Sequence, residues 1–301
     1  MSNALKIGII GLDTSHVTAF TKLLNDPENA YHVAGGKVVV AFPGGSPDME
    51  LSISRVEGFT NTLRDELGVT IVDSVEAVAE QSDAILLESV DGRVHLEQFA
   101  KIAPYGKPVF IDKPLAVTSE DAKQIAELAK KHGIPVMSSS ALRYAEGLTS
   151  VLGDDSKGAV IGIDAFGPMA LIPTQPGYFW YGIHTVEMVF ATLGKDCVDV
   201  TVTTNDDHDL IVGRWADGRI ATMRGNRKGN NTFGAVVHRE KGSQFVDVYA
   251  HPKPYYASML EPIMAMFKGE GPAIDFEDTV RLVRFIEAAN ESRETGKTVA
   301  L

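Results

Sequence analysis

Five short runs in the first half of the chain are apolar at nearly every position: "IGII" (7–10), "VVVAF" (38–42), "AILL" (84–87), "VFI" (109–111) and "IPVM" (134–137). A strand with one wet face alternates apolar and polar residues. A continuous apolar run has to be covered on both faces. Between the runs lie segments with helical spacing. Residues 15–26 carry Val17, Phe20, Leu23 and Leu24 on one stripe and stop at Pro27. Residues 56–67, 74–80 and 94–102 follow, and 119–132 is the best-signalled helix. Thr118 or Ser119 caps it, Glu120 and Asp121 favour its positive end, Lys130, Lys131 and His132 its negative end, and Gly133 ends it. Buried strands alternating with helices predict a doubly wound parallel sheet over residues 1–140.

Beyond residue 140 the pattern changes. "VTVTT" (200–204) alternates, 210–225 reads as a hairpin about Asp217-Gly218, and "FVDVY" (245–249) is a further strand. Helical segments at 256–268 and 276–295 close the chain. The fold class is therefore α/β. It has an N-terminal Rossmann domain over 1–140 and a C-terminal α+β domain over 141–301 with an open, mostly antiparallel sheet. The boundary falls near "SSSALRY" (138–144).

A net charge of −12 without a basic patch argues against nucleic acid and anionic membranes as partners. The lone Cys197 leaves no intramolecular disulfide and no cysteine cluster for a metal. No His-Glu-x-x-His motif is present, and "NDDHD" (205–209) reads as a solvated loop, so no metal site is expected. No apolar run approaches the length that spans a bilayer, and the start is too short in apolar residues for a signal peptide. A cytoplasmic location is the expectation.

"GIIGLDTSH" (8–16) joins the first strand to the first helix. A strand, a tight turn and a helix N-terminus make an anion site, so Gly8, Gly11, Leu12, Asp13, Thr14 and Ser15 are candidates for holding a dinucleotide. Asp13 and His16 stand where the second and third glycines of a dinucleotide loop belong. Either Asp13 turns away and leaves the backbone to meet a pyrophosphate, or it caps the helix and occupies the site. After the second strand comes "FPGGSPD", with no acid to bind the adenine ribose before Asp48. Pro43, Gly44, Gly45 and Ser46 make a small neutral pocket, with Arg55 the nearest downstream cation. Either NAD or NADP fits, with a lean to NADP, and an ordinary turn accounts for the same residues. Lys113, between Asp112 and Pro114, ends a buried strand where open α/β sheets place ligands. An ammonium there can stabilise an alkoxide as hydride leaves.

"GKPVFIDKPLAVTSEDAKQIAELAKKHGIPVMSSSALRY" (106–144) resembles the Gfo/Idh/MocA family of glucose-fructose oxidoreductases and inositol dehydrogenases, with Asp112-Lys113-Pro114 at its Glu-Lys-Pro signature. "ESVDGRVHLEQFAKI" (88–102) is similar to the family's nucleotide-side segment. This implies cofactor-binding roles for Glu88, His95, Asp112 and Lys113. "YFWYGIHTVEMVFATLG" (178–194) resembles its Asp-x-x-x-His helix and puts His184 at the general base, with Trp180 where the Asp belongs. Glu187, one turn on, could orient that histidine. Arg143, Tyr144, Trp180 and Tyr181 then fall at substrate-lining positions, although the aromatic cluster 178–181 could equally be core. The resemblance implies NAD(P)-linked hydride transfer with a sugar, polyol or related compound. It also implies a homo-oligomer, dimer or tetramer, formed through the C-terminal sheet. Two alternatives stay open: a non-redox ligand-binding or regulatory protein, and a lyase or hydrolase with a retained cofactor.

Overall fold

The computed structural model describes residues 4–301. The chain runs β1 (Leu5–Ile10), α1 (His16–Asn25), β2 (Gly36–Phe42), α2 (Glu50–Asn61), β3 (Thr70–Ile71), α3 (Val75–Gln81), β4 (Ala84–Leu87), α4 (His95–Ile102), β5 (Val109–Asp112), α5 (Ser119–His132) and β6 (Val136–Ser139). Then come α6 (Glu146–Gly153), β7 (Val160–Pro168), α7 (Gly182–Leu193), β8 (Cys197–Thr204), β9 (His208–Trp215), β10 (Ile220–Asn226), β11 (Gly234–Arg239) and β12 (Gly242–Asp247). The last elements are α8 (Tyr255–Phe267), α9 (Phe276–Thr295) and β13 (Val299–Ala300).

Two compact units result. The first holds the chain up to Ala116, Glu120–Ser139 and Tyr256–Phe276; the second holds Val117–Ser119, Ser140–Tyr255 and Glu277–Leu301. The first is built on a parallel sheet of order β3-β2-β1-β4-β5-β6. Its central strands are buried along their length, as continuous apolar runs require: β4 and β5 have no exposed position. Helix α1 covers the sheet with Val17, Phe20, Leu23 and Leu24, each worth about 1.5–3 kcal/mol when fully buried. α8 belongs to this unit although it follows β12 in the chain, a return that a single cut near residue 140 does not anticipate.

The second unit is built on a sheet of order β12-β11-β7-β10-β9-β8-β13. β7 and β10 pair in parallel and the other neighbours antiparallel. The hairpin at Asp217-Gly218 joins β9 to β10. Alternating burial on β9 puts one face against helices, where Trp215, Phe190 and Phe285 meet with centroids 5.4–6.5 Å apart. The other face leaves Ile161, Leu210, Ile220 and Phe245 exposed.

Candidate functional site

The C-terminal ends of β1, β4 and β5 are where the parallel sheet gathers polar side chains. Gly11 turns the chain after β1 at φ +89°, and a Cβ there would lie 2.4 Å from both the backbone nitrogen and the hydroxyl of Ser89. Only glycine supplies both the left-handed backbone and the close approach. Gly8, by contrast, lies inside β1, and its missing Cβ makes room for Val78 and Ser82. It serves packing inside the sheet. Leu12 is fully buried, and its N–H is used by Pro43 O at 2.7 Å.

Asp13 is turned into the protein. Its carboxylate accepts a hydrogen bond from the Ser52 hydroxyl at 2.6 Å and from the Val90 N–H at 3.0 Å. Burial raises its pKa, against the pull of these two hydrogen bonds. It therefore does not cap α1, and neither does Ser15, which is exposed at the helix entrance. Thr14 is buried, with its hydroxyl 3.4 Å from the His16 N–H. Asp13 and Ser15 thus leave the first turn of α1 uncapped, and the Thr14 hydroxyl alone of these side chains accepts from it, at the His16 N–H.

A cleft of about 370 Å³ opens beside this loop. Phe42, Gly44, Gly45 and Ser46 line it from the end of β2, Asp73 and Ser74 from the entrance to α3, and Ser89 and Gln98 from the α4 side. Its charged lining is Asp13, Asp73, Glu76, Glu97 and Lys101, and Lys101 is paired with Glu97 at 2.7 Å. Arg55 is not among the lining residues. The Ser46 hydroxyl donates to Asp91 at 2.7 Å, and Asp91 in turn grips Arg93, which reaches Asp48. Size, a left-handed glycine and a helix N-terminus from which the Asp13 carboxylate is turned away fit a dinucleotide.

His95 is fully buried, and both ring nitrogens lie against backbone carbonyls: Ser89 at 2.7 Å, Pro114 at 2.9 Å and Leu115 at 3.2 Å. It ties the loop after β4 to the loop after β5. The Lys113-Pro114 bond is cis. Lys113 is nearly buried, with its ammonium 3.9 Å from Asp112. Asp112 and Glu88 both face His16, whose Nδ1 lies 3.2 Å from Asp112 Oδ2 and 3.5 Å from Glu88 Oε2. Burial opposes the charge on all three. The two carboxylates raise the His16 pKa, His16 and Lys113 lower that of Asp112, and burial with the Asp112 charge raises that of Glu88.

In the second unit, His184 lies in the first turn of α7, with Nδ1 2.7 Å from the Ser140 hydroxyl. Tyr181 and Phe233 hold its ring edge-on, at 5.6 and 5.4 Å. Glu187 does not orient the imidazole directly, as its place one turn on had predicted. Buried, it accepts from the Ser140 N–H at 3.1 Å and pairs with Arg143 at 3.1 Å. Burial raises its pKa, with Arg143 working the other way. Arg143 is thus engaged by a carboxylate of its own unit. Tyr178 and Phe179 are core, Trp180 is nearly buried, and Tyr144 and Tyr181 are half-buried.

The family profile described as "oxidoreductase family, NAD-binding Rossmann fold" (Gfo/Idh/MocA) matches residues 5–140. Residues 5–140 thus match the Rossmann domain of that family. Along the whole chain, the Haloferax volcanii protein "D-xylose 1-dehydrogenase (NADP(+)) 2" is 23% identical, over 88% of this chain and 95% of that one. The structure of a putative myo-inositol dehydrogenase from Sinorhizobium meliloti has a TM-score of 0.80 at 17% identity, covering 99% of both chains. That of myo-inositol dehydrogenase from Lactobacillus casei in complex with NAD(H) and myo-inositol has a TM-score of 0.78 at 17% identity, covering 99% of this chain and 97% of that one. These likenesses give the fold of both units. Within the Gfo/Idh/MocA domain, the sequence picked out Asp13, Glu88, Asp112 and Lys113 but not Ser52, Val90 or Asp73. Ser140 was missed because a serine in "SSSALRY" carries no sign that α7 will pack against it.

Proposed function

We propose that this chain is an NAD(P)-dependent oxidoreductase that moves a hydride between a nicotinamide and a sugar, polyol or related hydroxy compound. The observation that carries the reading is the inward turn of Asp13 onto Ser52 and Val90, which keeps its carboxylate away from the N-terminus of α1. A dinucleotide, when bound, accepts or supplies the hydride. Its pyrophosphate would be held by the turn from Gly11 to Ser15 and its adenosine by the cleft of Ser46, Asp73 and Ser89. The proposed division is residues 1–140 for the cofactor and 141–301 for substrate and self-association.

Lys113 hydrogen-bonds the reacting oxygen and stabilises negative charge on it. His184 takes the carbinol proton on Nε2 while Ser140 holds Nδ1; an imidazole is suited to this near neutrality. Tyr181, Tyr144 and Trp180 shape the substrate region, and Arg143 acts through Glu187 to hold Ser140. The named activities of the similar proteins, on D-xylose and myo-inositol, support a polyhydroxylated substrate. Carboxylates at Asp73, Glu76 and Glu97, with Lys101 already paired, support NAD over a 2'-phosphate. The exposed apolar residues Ile161, Ile220 and Phe245 support self-association through the seven-stranded sheet. Among the described residues no helix is long and apolar enough to cross a membrane.

Nicotinamide fluorescence on titration with NADH and NADPH tests the reading. NADH binds at least about tenfold more tightly, roughly 1.4 kcal/mol. Binding of neither dinucleotide, oxidised or reduced, refutes the redox reading and leaves the non-redox alternative. Lys113→Ala and His184→Ala keep NADH affinity within a few-fold, and His184→Ala lowers kcat by about 10²–10⁴.

A further inference from the structure

The trio His16, Glu88 and Asp112 does more than balance charge. Both carboxylates are buried, Glu88 at 0% and Asp112 at 1% exposure. None of their four oxygens has a hydrogen-bond partner, and neither does His16 Nδ1. Buried polar atoms are ordinarily satisfied, and unsatisfied atoms on three residues that each bring one donor to the same place call for an occupant. The spacing says what kind. A charge-assisted hydrogen bond between imidazolium and carboxylate closes to about 2.7–2.9 Å. Here Nδ1 stands 3.2 and 3.5 Å from the two carboxylate oxygens, and one donor atom from each of the three residues lies within 4.8 Å of the others. The two distances from Nδ1 bracket the edge of a tetrahedron, roughly 3.3 Å, around an ion with ligand bonds of about 2.0–2.1 Å.

The ring is held for this role. His16 stacks on Phe20 at 5.3 Å and 20°, and Tyr256 packs edge-on at 5.0 Å and 64°. Together they fix the direction of Nδ1. The three donors come from the start of α1, the end of β4 and the end of β5, so no linear metal motif announces them. The Lys113 ammonium lies 3.9 Å from Asp112 Oδ2, at the edge of the trio.

We propose that His16, Glu88 and Asp112 form a binding site for one divalent transition-metal ion of the zinc or cobalt class. One imidazole nitrogen with two carboxylates suits a borderline ion. Magnesium and calcium want more oxygen ligands than this buried trio offers. The ion joins the N-terminus of α1 to the ends of β4 and β5. The site lies wholly within the first unit and does not depend on the redox reading, since the ion is bound whether or not a dinucleotide turns over.

The test uses the full chain, stripped with chelator and dialysed against Co²⁺ or Zn²⁺ at pH 8. Metal analysis of the wild type gives close to one equivalent, the Co²⁺ form shows the intense visible absorption of a four-coordinate ion, and the melting temperature rises on metal addition. His16→Ala, Glu88→Gln and Asp112→Asn each weaken metal affinity by roughly 10²-fold or more. Circular dichroism confirms that each variant is folded. The wild-type titration stands alone should a variant unfold. A wild type that holds no more metal than a reference protein without a site overturns the proposal. So does one equivalent that survives all three substitutions, which would place the ion elsewhere, such as the loop Asn205–His208.

Discussion

Replacing Gly11 by alanine probes the turn on which the dinucleotide reading depends. Two costs add. A φ of +89° charges an L-residue about 1–2 kcal/mol. The new Cβ would meet Ser89 at 2.4 Å, at its backbone nitrogen and hydroxyl, and at 2.5 Å from its Cα, so backbone has to move. Overpacking of that kind costs about 1–3 kcal/mol more. The total is about 2–5 kcal/mol, which lowers the melting temperature by roughly 4–20 °C at about 2–4 °C per kcal/mol. Gly68→Ala is the control, because its φ is +67° and nothing lies within 4 Å of the added carbon. It should bear only the strain, about 1–2 kcal/mol. Thermal unfolding followed by circular dichroism measures both, and NADH fluorescence titration separates them by function. Gly11→Ala loses NADH binding, while Gly68→Ala keeps it. Equal melting temperatures, with NADH binding intact in both, would refute the account of the turn.

Asp13→Asn tests the inward carboxylate. A folded-state pKa raised by burial means its contribution to stability is whole below the unfolded value of about 3.9 and is lost as pH rises through the folded value. Urea midpoints for wild type and Asp13→Asn should therefore diverge in favour of the variant as the pH is raised from below the unfolded value to neutrality, and a gap constant over that whole range would contradict this. Ser140→Ala removes the hydroxyl 2.7 Å from His184 Nδ1, a hydrogen bond worth about 1 kcal/mol. A roughly fivefold fall in kcat with unchanged NADH affinity is expected; an unaltered kcat would mean that Ser140 does not position the ring. Asp73→Ser removes one of the carboxylates lining the cleft, so the NADPH-to-NADH affinity ratio should rise severalfold in direct binding, and a fixed ratio would clear Asp73 of any role in cofactor choice.

What could be read from residues alone follows the reach of local physics. The unbroken apolar runs at β4 and β5 announced a covered parallel sheet, and Lys113 was visible because it ends one of those runs. The direction of the Asp13 carboxylate was not visible. It is decided by Ser52 on α2 and by the N–H of Val90 after β4, and neither is near it in sequence. Glu187 was assigned to His184 because they lie on adjacent turns. In the fold the chain at Ser140 comes between them and takes both groups. His16 read as a misplaced loop residue because its two carboxylate partners arrive on other strands.

The return of α8 to the first unit bears on how the protein is made. Lys268 donates to Ala34 O at 3.2 Å, Met264 fills the space in front of Gly36, and Tyr256 packs against Phe20. These contacts pack α8 and the residue after it against α1 and the start of β2, and they are supplied by residues synthesised after every strand from β7 to β12. A ribosome that has just released residue 140 has therefore exposed a sheet missing one of its lids. The second unit's strands must emerge, and can begin to pair, before the first unit is sealed. The two units mature as interleaved products of one synthesis rather than in sequence, and a fragment cut at residue 140 would leave Ile7 and Phe20 to water or to aggregation.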